Sequence, residues 1–243
     1  MSTPRFFVAV PCTPGAEIAL GEADSHHLAT VLRATPGDRI VVIDGRAAWD
    51  ADIASVTARA VLVRVLGETA EEPGELPGRI HVLQALCKGP KFDGVVEKTV
   101  ELGAASIVPV RFERSETEGG ATKVERWRRI AHAAARQSRR RTVPPVEEVV
   151  DARAALARFA TAMPLIVAWE RAPRESLTIA VERCIGVSEF AAAIGPEGSF
   201  TDDEIAFARE LGATLVSLGP TTLRTETAAA ALIAAIAARC GWW

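Results

Sequence analysis

The sequence predicts an α/β chain: a small N-terminal β-rich domain, then a larger domain with a mostly parallel sheet. Three observations carry this. Residues 1 to about 70 hold short runs of β-branched and aromatic residues, several of them alternating. From Arg79 onward, apolar strand-like runs alternate with longer helical patterns, the texture of a parallel sheet with helices on both faces. The composition, 243 residues with 49% apolar and 24% charged, excludes a disordered or fibrous chain and leaves ample length for a core without disulfide staples.

Taken in order, the first domain, expected over residues 1–72, has strands at RFFVAV, DRIVVID, AAWDADIA and ARAVLVRVLGE. One helix, SHHLATVLRA, interrupts them, and Pro36-Gly37-Asp38 and Asp44-Gly45 supply turns. EEPGELPG, Glu71 to Gly78, reads as a linker. The second domain, expected over 73–243, opens with the strand RIHVLQAL. A helix, KFDGVVEKTVELG, follows and stops at Gly103. ASIVPV is a strand and Lys123 to Arg141 a helix; PLIVAW, FAAAI and TLVSL are strands, followed by helices near 173–183, 201–211 and 226–239. Continuous apolar strands fit burial on both faces.

Several classes are disfavoured. The longest apolar run, Ala228 to Ala238, falls short of the ~20 residues a spanning helix needs. The first residues lack a signal-peptide pattern. The four cysteines form no CxxC and the four histidines no HxxxH, so no metal is expected; the cysteines read as core residues in a reduced, cytoplasmic setting.

The net charge of -3 hides an uneven distribution: residues 79–145 carry net +7, while the segments on either side carry net -5 each. This suggests a placed contact with a polyanion. The basic segment centres on KVERWRRIAHAAARQSRRR. At about 100° per residue, Trp127, Ala131, Ala134 and Ser138 share one stripe, while Arg128, Arg129, Arg136, Arg139 and Arg140 fall on the opposite, outward arc. Arginine's fork suits phosphate.

Ligands of open α/β sheets sit outside the carboxyl ends of the strands. There the sequence offers Cys87-Lys88-Gly89-Pro90-Lys91, then Arg111, Arg114 and Ser115, then Glu170, then Gly195-Pro196-Glu197-Gly198-Ser199-Phe200, then Gly219 to Glu226. Two of these turns share a strand, Gly-Pro, loop, helix form. The helix after the first opens Thr201-Asp202-Asp203-Glu204, whose carboxylates oppose a phosphate; Thr201 and Glu204 have capping-box spacing. Neither GxGxxG nor GxxxxGK[ST] occurs. A neutral or cationic ligand with an adenine-like part fits better, and S-adenosyl-L-methionine (SAM) is one.

IGPEGSFTDDEI (Ile194 to Ile205) and LGPTTLRTETA (Leu218 to Ala228) resemble the signature of the RsmE-type 16S ribosomal RNA uridine-N3 methyltransferases of the SPOUT superfamily. HHLATVLRATPGDRIVVIDG, LQALCKGPKFDGVVEKTVELG, RFERSE and RWRRIAHAAARQSRRRTVPPV extend the resemblance nearly end to end. Arg136, Arg139, Cys87 and Phe92 depart from its pattern.

The resemblance implies an N-terminal PUA-like or OB-like β-barrel that helps bind RNA, a SPOUT domain closing in a trefoil knot, a homodimer, and SAM as cofactor. It implies 16S ribosomal RNA, within the small ribosomal subunit, as partner and substrate. Arg224 becomes the candidate for stabilising charge on the uracil oxygens, the alternative being a buried structural arginine paired with Glu226; Glu226 is counted with the catalytic residues, and Glu197 is the candidate base or base-orienter. The cofactor falls to Ile194, Gly195, Pro196, Gly198, Leu218, Gly219, Leu223, Thr225, Thr227 and Ala228. RNA contacts fall to Arg33, Lys88, Lys91, Arg114, Arg129, Arg136 and Arg140. Two alternatives stand beside this: a related knotted enzyme methylating a ribose 2'-hydroxyl of another RNA, and a non-catalytic RNA-binding ribosome-assembly protein.

Overall fold

A computed structural model describes residues 3–57, 60–70, 74–173 and 176–243. The chain divides into two compact units, Met1–Glu75 with Ala135–Val143, and Leu76–Ala134 with Pro144–Trp243. The expected domain boundary at 72/73 and the start of the linker lie outside the described residues, as do residues 58 and 59 of the fourth expected strand.

In the first unit, β1 (Arg5–Phe7), β2 (Glu17–Ala19), β3 (Arg39–Ile43), β4 (Ala48–Val56) and β5 (Val61–Glu68) form one sheet in the order β1-β3-β4-β5-β2. The β1–β3 pair is parallel and the rest antiparallel. Register shifts at Asp50/Ala51 and Ile53/Ser55 bend β4, as bulges do, and the mixed sheet curls into a half-barrel. Val61, Val63 and Val65 of β5 alternate inward with Phe6, Leu28, Ile40, Val42 and Ile53. The short β2 has no apolar run long enough to show in the sequence. The expected helix over 25–34 arrives earlier, as α1 (Glu22–His26) continued by a π-helical turn over His27–Val31. The Asp44-Gly45 turn is tied by the Asp44 carboxylate, which accepts hydrogen bonds from the backbone N–H groups of Cys12, Arg46 and Ala47 and from Trp49 Nε1. Burial opposes ionisation of Asp44, but these donors outweigh it and hold its carboxyl below the usual carboxylate range.

In the second unit, β6 (Arg79–Ala85), β7 (Ser106–Arg111), β8 (Val150–Asp151), β9 (Leu165–Ala168), β10 (Glu189–Ile194) and β11 (Thr214–Val216) form a wholly parallel sheet in the order β11-β9-β10-β6-β7-β8. The helices are α2 (Lys91–Glu101), α3 (Ala121–Gln137), α4 (Ala152–Ala162), α5 (Ser176–Cys184), α6 (Asp202–Glu210) and α7 (Thr225–Arg239). Register sorts the strand residues between two faces. Leu83, Val108, Ala193 and Val167 stand opposite one another and pack with Ala155, Leu156 and Phe159 of α4 and Ile205 and Ala208 of α6. Val82, Ile107, Ala192 and Ile166 point to the other face, and Gln84 and Ile194 share their parity. Both faces are therefore covered, which is why β7, β9 and β10 read as apolar runs without alternation. The α4 helix escaped the sequence reading. Its signal was present: Asp151 caps it, accepting from the N–H groups of Arg153 and Ala154, ahead of apolar residues at helical spacing.

The basic helix needs a correction. It ends at Gln137, not Arg141, and Arg139 adopts a left-handed φ of 60°. Trp127, Ala131 and Ala134 are buried as expected, joined by Val124 and Ala135; the Trp127 ring lies 4.1 Å from that of Phe92. The arginines, however, are not a free outward arc. Arg126 pairs with Asp93 at 2.7 Å, and Arg128 pairs with both Glu125 and Glu148. Within the first unit, Arg136 reaches Asp24 at 3.3 Å and covers the Phe6 ring, while Arg140 is only 3% exposed and forks onto Glu75 at 2.7 Å. Arg140 is thus a buried structural cation rather than an exposed phosphate contact. Its carboxylate partner lies 65 residues away in sequence, where no helical wheel could find it.

Candidate active site

The carboxyl ends of β9, β10 and β11 open into a cleft of about 490 Å³. Its walls are Ala168 to Glu170, Ile194 to Glu197 with Ser199 and Phe200, Ser217 to Thr225, Ala228 and Lys91. A volume of this size lies within the ~300–1,000 Å³ usual for small-molecule sites.

Local sequence explains the shape. Gly195 has no room for a side chain, since a Cβ there would meet the Phe200 ring at 2.8 Å. Gly219 turns the chain after β11 at a φ of +123°, a region closed to most L-residues. Thr201 and Glu204 form the expected capping box: Thr201 Oγ1 accepts from Glu204 N at 3.2 Å, and Glu204 Oε2 accepts from Thr201 N at 2.9 Å. Glu204 Oε1 also accepts from the backbone N–H of Glu113, so its charge is spent on the scaffold.

One buried chain of hydrogen bonds ties three segments of the site together. Gln84 Nε2 donates to Thr225 Oγ1 at 2.8 Å, and that hydroxyl donates to the Gly195 carbonyl at 2.6 Å. Gln84 is fully buried and Thr225 only 6% exposed. The end of β6, the turn after β10 and the start of α7 are thereby fixed to one another. Gln84 escaped the sequence reading because it sits inside a strand and only tertiary contact gives it a role.

The charged groups are arranged around this frame. Glu197 Oε1 accepts from Lys91 Nζ at 2.9 Å and from the Lys88 N–H at 3.4 Å. Burial works against ionisation of Glu197, but Lys91 and two backbone N–H groups prevail and lower its pKa; the same hydrogen bond raises that of Lys91. Arg224 is exposed at the N-cap of α7, and Glu226 follows in the first turn with a buried Oε2 that has no hydrogen-bond partner among the described residues. Cys87 is buried near both carboxylates; burial first, then Glu197 and Glu226, push its thiol up to about 12, so it stays protonated.

Of the residues expected at the site, Ile194, Gly195, Pro196, Glu197, Leu218, Gly219, Leu223, Arg224, Thr225, Ala228 and Lys91 line the cleft. Gly198, Thr227 and Glu226 do not; Gly198 instead offers its carbonyl to Arg114 NH1 at 3.0 Å. Arg114 also reaches the Phe200 carbonyl, so it braces this turn. Lys88 is exposed and paired with Glu116 at 3.0 Å, Arg129 is exposed, and Arg33 is exposed with a φ of 51°. Trp169, Glu170, Ser199 and Ser217 line the cleft without having been assigned a role beforehand. Glu170 was visible only as a residue following a strand.

Comparison with known proteins bears on this geometry. The profile of a family described as RNA methyltransferase domain matches residues 74–237, and that of an RNA methyltransferase PUA domain matches residues 20–66. The chain is 31% identical to ribosomal RNA small subunit methyltransferase E of Mycobacterium bovis, over 98% of this chain and 92% of that one. It is 34% identical to the protein of that name from Synechocystis, over 96% and 76%. The crystal structure of ribosomal RNA small subunit methyltransferase E from Neisseria gonorrhoeae, bound to S-adenosyl methionine, superposes with a TM-score of 0.88 at 32% identity, covering 98% of each chain.

Proposed function

Because the chain belongs to the RNA methyltransferase family of ribosomal RNA small subunit methyltransferase E, we propose that its cleft binds SAM and directs methyl transfer to N3 of a specific uridine in 16S ribosomal RNA. The chain is a SAM-dependent methyltransferase of small-subunit ribosomal RNA; the uridine and its N3 atom are the finer part of the reading. The observation that carries it is the cleft itself, bounded by the GPEG and LRTET turns, of a size for an adenosine and with an arginine at its rim.

The residues present fit the cofactor. The Gly195 and Gly219 turns let backbone come close to a flat ring, and the backbone from Leu218 to Leu223 suits the adenine. The buried chain from Gln84 through Thr225 to Gly195 holds these walls in place. When bound, SAM supplies a methyl group on a cationic sulfur. Catalysis by the protein is then largely alignment of the uracil nitrogen. In this reading Arg224 stabilises the negative charge that the ring oxygens gain as the N3 proton leaves, a role supported by its exposure beside the cleft. Glu197 serves as an orienting group for Lys91 and not as the proton acceptor, since its lowered pKa makes it a weak base. Glu226, whose buried Oε2 has no hydrogen-bond partner among the described residues, supports the arginine electrostatically from the first turn of α7.

The reading further assigns residues 1–72 to an RNA-binding PUA-like domain and 73–243 to the methyltransferase domain with a C-terminal trefoil knot. Lys88, Lys91, Arg33 and Arg129 would meet RNA, with a homodimer as the working form and the cytoplasm as its location. No helix among the described residues is long and apolar enough to cross a membrane. The deciding experiment is mass analysis of nucleosides from small-subunit RNA before and after incubation with enzyme and SAM. Methyl on N3 of one uridine is expected; methyl on a ribose would redirect the reading, and no methylation would reject it.

A further inference from the structure

Among the described residues, four charged ones line the cleft: Lys91, Glu170, Glu197 and Arg224. Glu197 and Lys91 satisfy each other. Glu170, two residues beyond β9, is a carboxylate with no cation at hydrogen-bond distance among the described residues. The nearest, Arg171 Nε, is 3.9 Å away, and the Arg171 guanidinium lies on Asp202 at 2.9 Å and over the Trp169 ring. One neighbour does hold Glu170: Ser199 Oγ donates to its Oε1 at 2.7 Å. Ser199 does so from a φ of +62°, a conformation uncommon for a residue with a side chain. Strain of this kind gathers at ligand sites.

Register locates the pair. Ala168 stands opposite Val216 in the β9–β11 pairing, so Glu170 emerges beside the chain that follows β11. That chain, Leu218 to Leu223, is the one read above as the seat of adenine. The ribose is bonded directly to the adenine, whereas the amino-acid end lies several bonds farther off. A carboxylate accepts hydrogen bonds from both hydroxyls of a vicinal diol, and acidic groups beyond strand ends serve ribose in other nucleotide sites.

We propose that Glu170, oriented by Ser199, is the ribose-binding residue of the cofactor site. Glu170 is the cofactor-contacting group and Ser199 its positioning residue. The proposal rests on the reading of the cleft as a SAM site, and the test separates the two.

Titration calorimetry on the full chain uses three probes: S-adenosylhomocysteine, 5'-methylthioadenosine, which keeps adenine and ribose but lacks the amino acid, and adenine alone. Glu170→Ala should weaken the first two about 10- to 100-fold, the range commanded by hydrogen bonds to a charged group, and leave adenine unchanged. Ser199→Gly relieves the left-handed strain while removing the hydroxyl. It should weaken both nucleosides severalfold without lowering the melting temperature of the free protein. Unchanged affinities in both variants would overturn the proposal. So would a loss confined to S-adenosylhomocysteine, which would put Glu170 at the amino-acid end. Failure of the unsubstituted protein to bind any of the three would reject the cofactor site itself.

Discussion

Replacing Glu75 tests whether the arginines after α3 act on RNA or on the fold. The Glu75 carboxylate accepts from Arg140 Nε and NH2, from the backbone N–H groups of Arg141 and Thr142, and from Thr142 Oγ1, at 2.7 to 3.3 Å. Its side chain is 25% exposed and that of Arg140 3%. Removing one member of a buried ion pair strands the other and costs ~3–5 kcal/mol. With Glu75 partly open to water, the lower end applies, about 3 kcal/mol for Glu75→Gln. Arg140→Met should cost a similar amount, and the double variant less than the sum, with a coupling of about 2 kcal/mol. Urea unfolding measures all three. The pH dependence follows from the carboxyl. Burial opposes its ionisation, but Arg140 and Thr142 more than compensate and lower its pKa below the ordinary 4.5. A depressed folded-state pKa gives stability that is present above 4.5 and lost as pH falls through the lowered value. Glu75→Gln should remove that part of the acid sensitivity. Single variants within about 0.5 kcal/mol of the parent, together with an RNA-binding salt slope reduced by one phosphate contact, would refute the structural role and return Arg140 to the RNA.

Other expectations concern the cleft and its frame. Arg224→Ala should abolish methyl incorporation into small-subunit RNA while SAM affinity by calorimetry stays within about twofold; normal turnover would exclude Arg224 from the reaction. Thr225→Val removes the shortest of the acceptors of the fully buried Gln84 amide, leaving the Ala85 carbonyl at 3.3 Å, so stability should drop by ~1–3 kcal/mol and SAM binding should weaken, whereas Thr225→Ser should retain both. Arg129→Glu on the exposed side of α3 should weaken RNA binding and flatten its salt dependence without changing the melting temperature; an unaltered slope would remove that helix from the interface. Asp151→Ala should lower stability by about 1 kcal/mol through loss of the α4 cap, measured by urea unfolding.

Much of this molecule was legible in its residues because the relevant forces are local or periodic. The apolar runs of β7, β9 and β10 announced a sheet buried on both faces, and the Thr201/Glu204 spacing announced the start of α6. Gly-Pro after β10 and after β11 marked where backbone must bend, and the cleft formed there. Short elements such as β2 and β8 were not legible, since a strand of two or three residues is fixed by its partner and not by its own pattern.

Partnership decided the rest. A helical wheel sees one helix, so it assigned Arg128, Arg136 and Arg140 to solvent; Glu148, Asp24 and Glu75, brought near by folding, claimed them. Gln84 and Thr225 lie 141 residues apart and meet only because β6 and the start of α7 share a sheet face. Composition, periodicity and turn chemistry act along the chain and therefore fixed the fold class and the cleft's address. Ion pairs and buried hydrogen bonds join residues remote in sequence, so which charges remained available for chemistry was settled only in three dimensions.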